Sequence, residues 1–326
     1  MAISALAGCG GGSSTTSSSG ATTSTAAKVS ITSSNQSTIA NSAVKSATQN
    51  LAGSNMAYVG GVQTSTTPTN ERLMSQWSDF AFQKIAEHQN SPLTVAGAVI
   101  STTACDSGNF TLDTDGSSTT PYTYFTISFN NCVLSGTTAN GTIALSNLNR
   151  LPSTGTPTSI SARFTFNFTV ANASTSAGIY GGFDIAATGI GSVSRKDSIT
   201  GTSFNIKVAS KYETLSNFAF TSSYDNTGTH GYSDTVDYSF ASDVILAGFD
   251  FHTIMPLVRN YLDSYPRSGQ VEITGANSTK LRVTVVSTDP SPGTASGTVT
   301  LELSQDGGLH YGAPVTRTWT QLALGQ

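Results

Sequence analysis

The chain has 326 residues and a formal net charge of −4, and charged residues make up 10% of it, against roughly 25% in an average soluble protein. Nucleic-acid binding needs a basic surface that neutralises phosphates. No cluster of Lys and Arg occurs, so we exclude nucleic acid as a partner. No apolar run approaches the roughly 18 residues that a transmembrane helix requires. Ser, Thr, Asn and Gly are abundant instead, which is typical of exposed strand faces and turns.

Residues 6–9 read LAGC and are followed by glycines. This run resembles the lipobox of bacterial lipoproteins, a family in which the Cys is acylated and becomes the first residue after cleavage. The resemblance implies that Cys9 is lipidated, that residues 1–9 are the remnant of a signal peptide, and that the membrane is a partner through this anchor. A signal peptide has a charged region and a longer apolar core before the cleavage site, so we expect the true translation start to lie upstream. In that family an Asp after the Cys favours the inner membrane, so Gly10 implies the outer membrane, facing the periplasm or the cell surface.

Residues 10–50 consist mainly of Gly, Ser, Thr, Ala and Asn. A segment with so few large apolar side chains buries too little surface to offset its ordering entropy. The composition therefore predicts a flexible tether.

The main β domain is expected over residues 51–265, and one amphipathic helix is expected near its N-terminal end, over 71–89. Asn70 can cap this helix, and apolar residues then recur at three- and four-residue spacing, among them Leu73, Trp77 and Ile85. The wide aromatic stripe predicts a helix that packs against a sheet.

Period-2 alternation dominates from about Thr94 onward, as in the runs at 164–170, 204–208, 236–240, 271–273, 281–285 and 299–303. Each such strand buries one face and exposes the other. Turn signals between the runs indicate an antiparallel meander of roughly twelve to fourteen strands. Residues 266–326 form a C-terminal β-hairpin subdomain, expected to be continuous with the main sheet. The fold class is therefore all-β, arranged as a sandwich or as a half-open barrel plugged by the helix. A transmembrane barrel is disfavoured because many strands look about seven residues long, not nine to eleven.

Cys105 and Cys132 flank a hairpin-sized stretch, and we predict that they form a disulfide in an oxidising compartment. A metal site is the alternative, but no His lies between them to supply a further ligand. The stretch 105–142 and the segment after 265 resemble parts of β-rich lipoproteins of proteobacteria. That resemblance implies the fold type and the location only.

No sequence motif identifies catalytic residues, a metal site or a cofactor, so we expect none of these. The four histidines show no metal-ligand spacing, although His252 and Asp250 could share a strand face. One turn-rich stretch combines Tyr, Asp and His, and it could bind a sugar or an ion. Its candidate ligand residues are Tyr224, Asp225, His230 and Asp234. A polar hairpin tip is the alternative interpretation.

The function expected from these features is that of a lipid-anchored envelope protein with a binding or structural role and no enzymatic activity. A periplasmic carrier of lipid or another hydrophobic ligand is the first alternative, motivated by the amphipathic strands and the aromatic helix. An enzyme that acts on envelope polymers is the second.

Overall fold

The structure is a computed structural model. It describes residues 23–51 except 25, 100–102, 105–115, 123–151 and 158–324, the last range with short gaps at 175, 226, 228–230, 244–245, 261–262, 287 and 289–291. The predicted helix 71–89, the lipobox with Cys9 and the loop residue His230 lie outside the described residues.

The described elements are fourteen strands and two α-helices. In chain order they are α1 (Gln36–Leu51), β1 (Ile100–Thr102), β2 (Ser107–Thr114), β3 (Phe125–Leu134), β4 (Thr137–Leu151), β5 (Ser159–Ala171), β6 (Ser176–Thr188), β7 (Ser194–Val208), β8 (Lys211–Asp225), β9 (Gly231–Ser242), β10 (Ala247–Asn260), β11 (Ser268–Thr274), β12 (Lys280–Val285), β13 (Thr298–Ser304), β14 (Val315–Thr318) and α2 (Trp319–Ala323).

All fourteen strands belong to one unclosed sheet, in which each strand pairs antiparallel with its neighbours in sequence. The prediction of an all-β antiparallel meander is therefore confirmed. The sheet continues across residue 266, because β10 pairs with β11 from Asp250 opposite Thr274 to Val258 opposite Ser268.

The alternation seen in the sequence lies inside the strands and separates a buried face from an exposed one. In β5, Phe164 and Phe168 are buried, whereas Thr165 and Asn167 between them are exposed. The strands from β4 to β10 have 12 to 15 residues, however, and not about seven. Apolar alternation marks only the part of a strand that packs on the core, whereas backbone pairing continues beyond it.

The larger core lies between the apolar face of β5 to β13 and the two helices. Its fully buried aromatic side chains include Phe183, Phe220 and Phe249. Helix α1 contacts β8 as well as β12 and β13. In a flat sheet β8 and β13 would be about 24 Å apart, at roughly 4.8 Å per strand, and the 16 residues of α1 span about the same distance. Helix α1 therefore lies across several strands of the unclosed sheet.

The flexible tether predicted for residues 10–50 is wrong over residues 26–50, because this segment crosses the sheet and then forms most of α1. Ile39, Ala40, Ala43 and Val44 of α1 are buried in the larger core, at most 6% exposed. These side chains are mostly small, but they recur at helical spacing and so form a narrow apolar stripe. Average composition conceals such a stripe because the Ser, Thr and Asn residues around it dominate.

The segment before α1 crosses one end of the sheet. Val29 N donates to the carbonyl of Gly248 at 3.1 Å, and Ala276 N donates to the carbonyl of Val29 at 2.8 Å. A side chain at position 248 would be crowded, since a Cβ there would lie 3.2 Å from the carbonyl oxygen of Ala26. This contact ties residues 26–29 to the start of β10 and to the β11–β12 turn.

A second, smaller core covers one face of β2 to β6 and includes Phe110, Phe125 and Phe129. Cys105 precedes β2 and Cys132 lies in β3, and the two form a disulfide with their Cα atoms 5.4 Å apart. The predicted pairing of these cysteines is therefore confirmed.

Candidate functional site

The candidate site lies at the end of the sheet that is opposite residues 26–29. It is built where β7 and β9 begin and where β8 and β10 end. Four residues of these strands stand side by side in the register: Arg195 pairs with Tyr224, Tyr224 with Tyr232, and Tyr232 with Arg259. We call these four residues the Arg–Tyr row.

The row lies on the same face of the sheet as the larger core. Tyr224 and Tyr232 are each four residues from a buried core residue, Phe220 and Val236 respectively, and side chains an even number of residues apart share a face of a strand. The row therefore continues the core face to its outer end, where Tyr and Arg side chains replace purely apolar ones.

The side chains of the row stack on one another. The ring centroids of Tyr224 and Tyr232 are 4.8 Å apart. The guanidinium carbon of Arg259 lies 4.3 Å from the centroid of the Tyr232 ring, within the range of a cation–π interaction. The two tyrosines and Arg259 thus form a continuous stack across three strands.

Each arginine of the row forms an ion pair with an aspartate on the same face of the sheet, one side-chain position further toward the middle of the strands. Nε of Arg259 donates to Asp234 at 3.0 Å, and the two side chains are 12% and 2% exposed. Nε of Arg195 donates to Asp197 at 2.8 Å, in a more open pair. Burial raises the pKa of Asp234, although Ser222 and Arg259 oppose this by favouring its ionised form. Because each arginine is held by a carboxylate, little side-chain entropy remains for a ligand to remove.

A groove of about 530 Å³ opens at this end of the sheet, mainly on the face opposite to the Arg–Tyr row, where Thr188, Lys196, Ser223, Ser233 and Val258 stand side by side in the register. Arg195, Tyr224 and Tyr232 of the row contribute to its lining, together with Lys196 and Asp225. The remaining lining residues are mostly small, and they are Thr188, Gly189, Ser194, Ser223, Gly231, Ser233 and Val258. Lys196 is exposed and forms no ion pair with another described residue.

The predicted ligand loop is brought to this groove in part. Tyr224 and Asp225 line the groove. Asp225 also caps its own turn, because one carboxylate oxygen accepts from the backbone N and the hydroxyl of Thr227 at 2.8 and 2.7 Å. These two hydrogen bonds lower the pKa of Asp225. Asp234 does not line the groove and lies buried behind it, paired with Arg259.

Sequence reasoning did not find Arg195, Lys196, Tyr232 and Arg259. The first two lie about 30 residues before the predicted loop and the last lies 25 residues after it, whereas Tyr232 lies within the loop but was not among its candidate ligands. Only the strand register brings the distant residues to the loop. One available signal was the adjacent basic pair at 195–196 in a chain with so few charges.

Two histidines elsewhere are paired with carboxylates at the surface. His252 bonds Asp237 through Nδ1. Asp250, which the sequence suggested could share a strand face with His252, bonds Lys28 and Ser239 instead. His310 Nδ1 lies 2.7 Å from a carboxylate oxygen of Asp306 in the β13–β14 turn.

Both imidazoles are well exposed, with 65% and 88% of their side chains accessible. In the part of the chain that the structure describes, no hydroxyl bonds either ring as a nucleophile would in a catalytic triad. Across the same residues, no group of three or more His, Cys, Asp or Glu is arranged to hold a metal ion.

Comparisons with protein-family models, with curated proteins and with solved structures return no match for this chain. Neither of the described helices is long and apolar enough to cross a membrane.

Proposed function

We propose that this protein is a lipid-anchored envelope protein of the outer membrane, facing the periplasm or the cell surface, and that it binds a saccharide at the Arg–Tyr row without catalysing a reaction. The observation that carries the binding role is the stacking of the side chains in this row.

The row has the character of a binding surface. Tyr and Arg are enriched among residues that dominate binding energy. A tyrosine ring offers a flat apolar surface on which the C–H face of a sugar ring can stack, and its hydroxyl offers a hydrogen bond. Both rings are already ordered by stacking and by the Arg259–Asp234 pair, which reduces the entropic cost of binding.

The location is supported by two independent features. The LAGC run resembles a lipobox that would place a lipid on Cys9, and a structural disulfide is typical of proteins that fold in an oxidising compartment such as the periplasm.

The two alternatives receive less support from the described residues. A carrier needs an interior cavity of ligand size, but α1 packs on the apolar face of the sheet and aromatic side chains fill the core between them. An enzyme needs convergent acid and base groups in a cleft, but the two His–Asp pairs are exposed and lie away from the groove.

The anchor is tested by expressing the complete gene and labelling cells with an alkyne analogue of palmitate. We expect label on the wild-type protein and none on Cys9→Ser. Unlabelled wild-type protein that is nevertheless exported would refute the anchor.

Binding is tested by applying the unlipidated Cys9→Ser chain to an array of neutral and acidic bacterial saccharides. We expect binding to at least one class and its loss in Tyr232→Ala. The matched control is Tyr212→Ala, which removes a tyrosine from β8 at the opposite end of the sheet. Failure of the folded protein to bind any saccharide would refute the binding role.

A further inference from the structure

Two connections at one end of the sheet expose large apolar side chains. This is the end where residues 24–29 lie, and we call it the entry end. Leu246, in the turn between β9 and β10, is 74% exposed, and Leu309, in the loop between β13 and β14, is 79% exposed. They are the two most exposed large apolar side chains in the part of the chain that the structure describes.

Both connections lie beside the N-terminal segment. Gly248, two residues after Leu246, donates its backbone N–H to the carbonyl of Ala27 at 3.0 Å. Gln305, at the start of the loop after β13, donates its side-chain amide to the carbonyl of Ile31 at 3.1 Å. The strands β10 and β13 are three positions apart in the sheet, roughly 15 Å. The two apolar tips can therefore meet one surface together.

The turn between β9 and β10 has an unusual sequence. Residues 244–246 read VIL between the paired strand ends Ser242 and Ala247, whereas Gly, Asn, Asp and Ser are the usual turn residues. Leu246 also has a positive φ of 52°, a conformation that Gly or Asn adopts at lower cost. Neither the backbone nor packing within the protein favours an exposed leucine here, so an apolar partner outside the chain explains it best.

The chain that leads to the proposed lipid on Cys9 departs from the entry end. Ser24 is fixed there, because its backbone N–H donates to the hydroxyl of Thr214 at 2.9 Å and its own hydroxyl donates to Asp243 at 2.7 Å. Ser24 follows Cys9 by 15 positions, a length that spans at most about 54 Å. The 15 residues of β8 alone extend over about 50 Å. A lipid on Cys9 therefore keeps the entry end near the bilayer, and the opposite end would reach it only if the connecting chain were almost fully extended along the sheet.

We infer that the entry end rests on the bilayer that holds the lipid of Cys9, with Leu246 and Leu309 inserted at the boundary between the head groups and the acyl chains. This inference rests on the proposed lipid anchor and adds the orientation of the folded part. The anchor supplies most of the affinity and keeps the tips at a high effective concentration near the surface, so the burial of a few apolar side chains is enough to orient the protein. The Arg–Tyr row then faces away from the membrane, because Tyr224 lies 13 residues along β8 from Lys211, roughly 40 Å.

The inference is tested on the full, unlipidated chain coupled to vesicles through the thiol of Cys9. The vesicles contain phosphatidylethanolamine, phosphatidylglycerol and a small fraction of a phospholipid that carries a maleimide. Cys105 and Cys132 are joined in a disulfide, so Cys9 is the one thiol of the sequence left to react. This coupling supplies an anchor at the proposed position whether or not the cell acylates Cys9.

Membrane contact is read from the fluorescence of a tryptophan introduced by Leu246→Trp or by Leu309→Trp. Phospholipids brominated near the top of their acyl chains should quench each introduced tryptophan by about 1.5-fold or more, after subtraction of the signal of the two native tryptophans in the wild type. Val193→Trp is the matched control, because Val193 is 59% exposed in the turn between β6 and β7 at the opposite end of the sheet, and it should not be quenched. All three positions are exposed, so the variants should fold, which a thermal melt verifies.

The inference is overturned if neither Leu246→Trp nor Leu309→Trp is quenched, or if Val193→Trp is quenched as strongly as they are. An emission of Leu246→Trp that shifts to the blue with rising protein concentration without vesicles, and is not quenched on vesicles, would assign the turn to a contact with a second copy of the chain and would also overturn it. Because the vesicle experiment supplies its own anchor, these failures would leave the natural lipidation of Cys9 standing. The palmitate label decides that question separately.

Discussion

Glu213 at the start of β8 is a buried carboxyl group whose titration should control the stability of the protein near neutral pH. Its side chain belongs to the core face, and the residue is 4% exposed. Ser242, opposite it in the register, donates its hydroxyl to one carboxylate oxygen at 3.0 Å. Burial raises the pKa of Glu213 from 4.5 to about 7, and the Ser242 hydrogen bond only partly opposes this effect.

The direction of the pH effect follows from the raised pKa. The folded state holds the Glu213 proton more tightly than the unfolded state, so the contribution is fully favourable below the unfolded pKa near 4.5 and is lost as the pH rises through the folded value near 7. At about 1.4 kcal/mol per pKa unit, the loss is about 3 kcal/mol over the whole range. It is about 2 to 3 kcal/mol between roughly pH 5 and pH 8.

Glu213→Gln should remove this dependence. An amide keeps a carbonyl oxygen to accept from Ser242 and carries no charge at any pH, so the variant should gain on the wild type as pH rises. The measurement is the free energy of unfolding by urea at several pH values from about 5 to about 8, with Glu302→Gln on β13 as the control. If the stability difference between wild type and Glu213→Gln stays constant across this range, the argument from burial is wrong.

Two further predictions concern the disulfide and the first helix. Cys132→Ser opens the disulfide to Cys105, which closes a loop of 27 residues. The variant should lower the free energy of unfolding by about 3–4 kcal/mol, and reduction of the wild type should reproduce the loss. A variant as stable as the wild type would contradict the prediction. Ala40→Asp should lower the thermal midpoint sharply, because it places a charge at a 0% exposed position of α1, whereas Thr38→Asp on the exposed side of the same helix should change it little. Equal effects of the two substitutions would mean that α1 does not pack on the sheet.

The strands were predictable because their physical signal is local. Runs such as 164–170 and 281–285 alternate apolar and polar residues, and both lie within strands of the sheet. Their lengths were not predictable from the same signal. β7 begins at Ser194 with polar and charged residues that carry no apolar alternation, and pairing with β8 nevertheless extends from Ser194 to Val208.

Helix α1 escaped prediction because its signal depends on a partner. Two of the four buried residues of its helical stripe are alanines, and an alanine side chain buries too little surface to identify a helix by itself. The stripe becomes informative only when the aromatic wall of the sheet is present to pack against it. The hydroxyl of Tyr238 on β9, for example, donates to the carbonyl of Ala43 at 3.0 Å.

The site could be predicted only in part for a related reason. Tyr224 and Asp225 attracted attention because they lie in one short stretch with mixed chemistry. Arg195 and Arg259 are 64 positions apart in the chain, and nothing local connects them. Only the pairing of four long strands places them at the two ends of one row.

The register that builds the core therefore also builds the proposed site. Phe220 faces the core only if Tyr224, four residues further along β8, faces the same way, and Val236 and Tyr232 are related in the same manner on β9. A slip of one residue in either strand would turn a whole set of side chains to the opposite face. It would expose buried aromatic residues and break the Arg–Tyr row at the same time. The large free energy of core burial thus fixes the position of polar side chains that lie beyond the core, so the Arg–Tyr row requires little stabilisation of its own to remain ordered.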